Sequence, residues 1–429
     1  MLRPLDIAAC CLLASGLLLA QDTAAPTFEE HWKQATAAYR AKDHAAYLEH
    51  MLAAAKLRPD SLTVTYNLAG AQALAGHPQE ALEQLGRLAD KSVVFDAAAD
   101  EDFASIRDSD GFKGVLARFE KLEAPIGKSD VAFKLPQKDL ITEGVAYDPA
   151  AETFYVGSIH QRKIVSRGKD GSVKDFATAE DGLWSVFGMK VDAKRRALWV
   201  CTTVTPQMVG FKKEDEGLSS VLRFDLASGE VLKRYDLPNR PQAHWLGDLV
   251  VDSKGNVFVT DSQAPGAVYA IFQKDDALVP WIEPGPFRSP QGIDLATDEK
   301  HVFVADYSMG ILRFDVASKQ SVRVTGPADL VLAGIDGLYV DRDGLIAIQN
   351  GIRPHRVVRY RLNASQDRIE RAEILEMNSP LFDEPTLGVL VGDELYYVAN
   401  SQWSRFDKDG TIFPMDKLQE PVILRAALQ

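Results

Sequence analysis

Cysteine is scarce in this chain of 429 residues: Cys10, Cys11 and Cys201 are the only three. The first two fall in an apolar N-terminal stretch, so a chain that loses this stretch keeps one thiol and can form no internal disulfide. Cys201 follows Leu198-Trp199-Val200 with no activating partner in view, which predicts a buried structural thiol rather than a nucleophile. Positive charge is also in short supply. Lys and Arg number 48 against 61 Asp and Glu, and the net charge of −13 argues against nucleic acid or an anionic membrane as a main partner. There is no Gly-Xaa-Ser-Xaa-Gly elbow and no phosphate-cradling glycine loop, which leaves serine-hydrolase and nucleotide chemistry without support. The apolar stretch Ile7–Ala20 is too short for the ~20 residues of a membrane span. With Arg3 before it and Gln21-Asp22-Thr23 after it, residues 1–20 have the form of a cleavable export signal. The expectation is a periplasmic or secreted protein with no stable membrane insertion after cleavage; an uncleaved anchor is the alternative.

The full chain is 46% hydrophobic and 25% charged, the balance of a globular protein, and its length exceeds what one core usually serves. Residues 27–122 carry apolar side chains at three- and four-residue spacing, the mark of amphipathic helices. Within them Tyr66-Asn67-Leu68-Ala69, Ala73, Leu74, Gly76, Ala81 and Leu85 resemble the tetratricopeptide helix–turn–helix pattern, with Gln72 where that pattern usually has an aromatic. Such a domain implies a protein or peptide partner, or a docking role on its neighbour. Residues 123–137, with two prolines and a glycine, read as a linker.

From residue 138 onward the period shortens to that of strands. A glycine followed by an apolar residue recurs as Gly144-Val145, Gly188-Met189, Gly292-Ile293, Gly337-Leu338 and Gly388-Val389, with Gly247 offset by one. A hydrophobic strand returns after each, as in Phe154-Tyr155-Val156, Leu198-Trp199-Val200 and Val302-Phe303-Val304. An arginine–aromatic pair marks a third strand at Arg223-Phe224, Arg313-Phe314, Arg359-Tyr360 and Arg405-Phe406. Six copies of a four-stranded unit predict a mainly β fold, a six-bladed β-propeller over 138–429, because closing the ring removes exposed sheet edges. Val131-Ala132-Phe133 is placed to supply the outer strand that latches the last blade.

In a propeller, the residue before each repeated glycine stands at one mouth of the central channel. Those residues are Glu143, Phe187, Leu246, Gln291, Asp336 and Leu387, or Gly247 and Asp248 if blade three is shifted by one. Glu143, Gln291 and Asp336 offer three oxygen donors to a hard divalent cation, Ca²⁺ ahead of Zn²⁺, Mg²⁺ or Mn²⁺, with water completing the shell. Glu143-Gly144, Gln291-Gly292-Ile293-Asp294 and Asp336-Gly337-Leu338 resemble the channel motifs of the senescence marker protein/gluconolactonase family, which includes regucalcin. The resemblance implies a metal-dependent lactonase or esterase-like hydrolase, with Glu143, Gln291 and Asp336 as metal ligands and Asp336 as the catalytic acid and base. The family's third-blade Arg-Pro-Asn-Asp-Gly is replaced here by His244-Trp245-Leu246-Gly247-Asp248, which separates this chain from sugar-lactone specificity. His160, His244 and Asp248 are candidate substrate contacts. The alternative is a non-catalytic ligand- or protein-binding propeller with a helical interaction domain.

Overall fold

The computed structural model describes residues 26–127, 129–342 and 344–428, so the expected export signal lies outside the described residues. Five helices come first: α1 (Phe28–Arg40), α2 (His44–Leu57), α3 (Leu62–Leu74), α4 (Pro78–Asp90) and α5 (Asp110–Leu122), each packed on the next. Local chemistry sets their ends. Thr27 and Glu30 form a capping box at the start of α1, Ser61 caps α3, and Pro78 opens α4 at a position that needs no amide donor. Gly76 takes φ +82° in the turn between α3 and α4, a conformation that costs a glycine little.

Six four-stranded antiparallel sheets follow. Their inner strands are Thr142–Asp148, Ser185–Asp192, Leu246–Val251, Pro290–Leu295, Ile335–Asp341 and Gly388–Val391. Each inner strand touches the next, and the sixth touches the first, so the sheets form a closed ring: a six-bladed propeller preceded by a helical region. A separate hydrophobic cluster fills each of the six blade–blade boundaries. The ring is shut by the strand Asp130–Lys134, which pairs with Val422–Ala427 as the outer edge of blade six. The segment read as a linker is therefore largely structural. Ile126 also exchanges backbone hydrogen bonds with Met377 of blade five, at 3.0 and 2.8 Å.

Blade six departs from the sequence expectation in its third strand. Arg223-Phe224, Arg313-Phe314 and Arg359-Tyr360 lie in third strands, but Arg405-Phe406 does not. The third strand of blade six is Val422–Ala427, and Trp403–Arg405 forms a short 3-10 turn in the loop before it.

The helical region docks on blade five and the chain leading into it. The Val94 amide donates to the Arg353 carbonyl at 2.8 Å, and Arg356 Nη2 donates to the Ser92 carbonyl at 3.0 Å. Val93 is buried between them with Val331 and Ile352.

Candidate active site at the channel mouth

The register of the inner strands explains why glycine recurs. In blades one to five the pairing slips at the entrance, between Thr142 and Val145, Val186 and Met189, Leu246 and Leu249, Pro290 and Ile293, and Ile335 and Gly337. A bulge there bends the strand and re-aims one side chain toward the channel. The glycine beside it faces the next blade at close range. A Cβ on Gly144 would collide with the Phe187 carbonyl, one on Gly188 with Asp248, and one on Gly292 with the Asp336 carbonyl.

The bulges open on a cavity of about 290 Å³ to which every blade contributes. Glu143, Phe187, Gly247, Asp248, Gln291, Asp336 and Leu387 line it, whereas Leu246 belongs to the core between blades, in keeping with the shifted register of blade three. Glu143 and Asp336 are each only 8% exposed. Trp403 Nε1 donates to Glu143 Oε2 at 2.9 Å, and Asn350 Nδ2 donates to Asp336 Oδ2 at 2.7 Å. Tyr307 in turn donates to Asn350 Oδ1 at 2.9 Å, so the Asp336 carboxyl is oriented by a relay of two side chains. The second oxygen of each carboxyl has no hydrogen-bond partner among the described residues. Gln291 commits its Nε2 to Ser289 Oγ at 3.0 Å, and its amide oxygen has no hydrogen-bond partner among the described residues.

Burial dominates the electrostatics. It holds Glu143 well above the usual carboxylate range, reinforced by the charge of Asp336, while the Trp403 indole pulls the other way. Burial pushes Asp336 up to about 7, opposed by the Asn350 hydrogen bond and reinforced by Asp248 and Glu384. Asp248 rises to about 6, again through burial, with Lys190 acting against the shift.

Glu384 lines the same cavity and was missed by the repeat analysis, because it stands in the loop ahead of blade six with no glycine marking it. Its Oε2 is buried without a partner among the described residues, and burial together with Asp383 raises its pKa against the pull of the Ser404 and Trp403 amides. The loop is clasped by Arg405 to Asp383 at 2.8 Å, so the misplaced arginine–aromatic pair serves the channel mouth rather than a strand.

The two histidines lie elsewhere. His160 Nδ1 meets the Gln207 carbonyl at 2.6 Å, and His244 Nδ1 meets Asp261 Oδ2 at 2.6 Å; neither lines the channel cavity. Asp261 also accepts from the Trp245 amide at 2.8 Å, and its blade-four counterpart Asp306 holds the Arg288 and Ser289 amides in the same way. His244 thus completes a corner repeated between blades. Cys201 is fully buried, and burial pushes its thiol well up.

The donors fit a hard divalent cation in kind: carboxylate and amide oxygens, with no His or Cys in the cavity. Among the described residues no three His, Cys, Asp or Glu side chains converge into a ready cation cluster. A cation here would therefore rest on Glu143, Asp336 and the Gln291 amide oxygen, completed by water.

The sequence profile of the major royal jelly protein family matches residues 147–276. Solved structures similar to this chain include a gluconolactonase from Xanthomonas campestris, at 18% identity over 72% of this chain and 93% of that one, with a TM-score of 0.49. The calcium-binding protein regucalcin from Agrobacterium tumefaciens matches at 13% identity over 70% and 93%, also with a TM-score of 0.49. A luciferin-regenerating enzyme matches at 14% identity over 71% and 95%, with the same TM-score. A comparison with curated protein sequences finds no match.

Proposed function

We propose that the channel cavity hydrolyses a small lactone or ester in a divalent-cation-dependent reaction. The observation that carries this reading is the pair Glu143 and Asp336, two buried carboxyls raised together above their ordinary range in one cavity, each fixed through one oxygen and open at the other. Carboxyls are held this way at a cost, and sites of proton transfer or cation binding are where that cost is met by function.

Bound to Glu143, Gln291 and Asp336, a cation such as Ca²⁺ would polarise the acyl carbonyl and make water more acidic. Asp336 takes a proton from the attacking water as the new carbon–oxygen bond forms, and returns it to the ring or ester oxygen as the acyl carbon–oxygen bond breaks. Asn350 and Tyr307 keep its carboxyl aimed at the cavity. Phe187, Trp245 and Leu387 give apolar wall to the carbon skeleton, and Trp403 screens Glu143 from bulk water. The Arg3 and Ile7–Ala20 pattern supports a periplasmic or secreted location.

A second reading, a binding propeller without catalysis, is favoured by the Trp403 indole already engaging Glu143. The two separate in one experiment. Full-length protein stripped of metal and reloaded with Ca²⁺, Mg²⁺, Mn²⁺ or Zn²⁺ is assayed on a lactone and ester panel beside Asp336→Asn. Metal-dependent turnover that falls about 100-fold or more in the variant supports hydrolysis. Equal turnover by both proteins removes Asp336 from the mechanism, and no turnover with any metal leaves the binding reading.

A further inference from the structure

A second cavity, of about 480 Å³, lies where the helical region meets the propeller. Leu57 to Leu62, from the last residue of α2 to the first of α3, and Lys91, just past α4, form its helical side. Arg288, Ser308, Met309, residues 323–328 and residues 330–333 form its propeller side. Tyr307 faces the channel cavity while the two residues after it line this cleft, so a single turn of chain separates the two.

In a chain of net charge −13 this cleft gathers four cations, Arg58, Lys91, Arg288 and Arg323, against one acid, Asp60. Lys91 Nζ is committed to the Ala328 carbonyl at 2.7 Å. The Arg58 guanidinium is fixed from behind, 3.4 Å over the Phe28 ring and paired with Glu29. The side chains of Arg288 and Arg323 make no ion pair or hydrogen bond to a described residue. Arg288 stands near enough to Arg58 that its charge, after burial, helps hold Arg58 below the ordinary arginine range. Both guanidiniums line the one cleft from separate parts of the chain, Arg58 with one nitrogen already taken by Glu29 and Arg288 with none taken by a described residue, which leaves donors there for an anion. Leu57, Met309, Leu330 and Leu332 give the cleft an apolar wall, beside the hydroxyls of Ser61, Ser308 and Thr325.

We propose that this cleft binds a small organic carboxylate, its oxygens bridging Arg58 and Arg288 and its apolar part lying against Met309, Leu330 and Leu332. Guanidinium forks match carboxylates in geometry as well as in charge, and the apolar wall selects a carbon chain over a bare ion. Because the ligand touches both domains, it fastens the helical region to the ring. The proposal does not depend on hydrolysis in the channel.

Calorimetric titration of the full-length protein with hexanoate, hexanamide and inorganic phosphate tests it. Saturable hexanoate binding below millimolar concentration is expected, weakened by added salt, with neither hexanamide nor phosphate matching it. Arg288→Gln, at an exposed loop position, should weaken hexanoate about tenfold or more without changing the melting temperature of the free protein. Asp336→Asn should bind hexanoate as the wild type does. Absence of hexanoate binding, equal binding of phosphate or hexanamide, an unchanged affinity in Arg288→Gln, or loss of binding in Asp336→Asn would each overturn the proposal.

Discussion

Asp336 is pushed up to about 7 by burial, in a cavity shared with Glu143, Asp248 and Glu384. A carboxyl in an unfolded chain titrates near 4, so the folded protein holds this proton more tightly than the unfolded one. Its contribution is fully present below about 4 and is lost as pH rises through 7, the reverse of a salt-bridged carboxylate. The metal-free protein should therefore lose stability of order a few kcal/mol between pH 4 and 8 from this cluster. A bound divalent cation should restore it at pH 8 and do little at pH 5, where protons compete for the same oxygens. Melting temperatures with chelator and with Ca²⁺ at the two pH values check this. In Asp336→Asn the metal-free protein should be more stable at pH 8, and the Ca²⁺ response should shrink. An unchanged pH profile in that variant would place the effect on other groups.

At the scale of elements, the ring is closed by a short strand whose one well-buried aromatic is Phe133. Its ring lies 5.2 Å from that of Phe154, and Arg167 covers it at 4.6 Å. Phe133→Ala should cost about 3–5 kcal/mol in denaturant unfolding, far more than Val131→Ala at an exposed position of the same strand. A difference within error between the two would mean that closure does not limit stability. The blades were legible in the sequence because each bulge leaves a mark: where one inner strand crowds the next, only glycine fits, and the residue before it is delivered to the channel. Glu143, Gln291 and Asp336 could be placed by that mark alone. Glu384 could not, since it reaches the cavity from a loop that repeats nothing. Arg405-Phe406 misled for the opposite reason. It has the composition of a third strand, but its arginine is drawn to Asp383 and the strand forms 17 residues later, at Val422. His160 and His244 share a limit of another kind: a sequence shows that an imidazole is near a strand end, not that a carbonyl or a buried carboxylate already holds it.

For the whole molecule, the helical region is joined to the ring through a small apolar contact centred on Val93. Val93→Lys would bury a cation beside the Arg356 guanidinium and should undock the helices, raising the radius of gyration in solution scattering. Turnover in the channel should persist, because every residue lining that cavity belongs to the propeller. Loss of turnover together with undocking would instead make the helices part of the active unit. The ring closure carries a further consequence. Glu143 belongs to the first blade, yet the residues that hold it belong to the last: Thr386 Oγ1 and the Leu387 amide donate to its carbonyl at 2.8 and 3.2 Å, and Trp403 donates to its carboxyl. The cavity therefore straddles the seam of the ring. Its first carboxylate leaves the ribosome some 240 residues before its partners, and the closing strand must wait for Val422–Ala427. A nascent chain halted before that point has most of its blades but an open ring, so the proposed chemistry would have to wait for the last strand of the last blade.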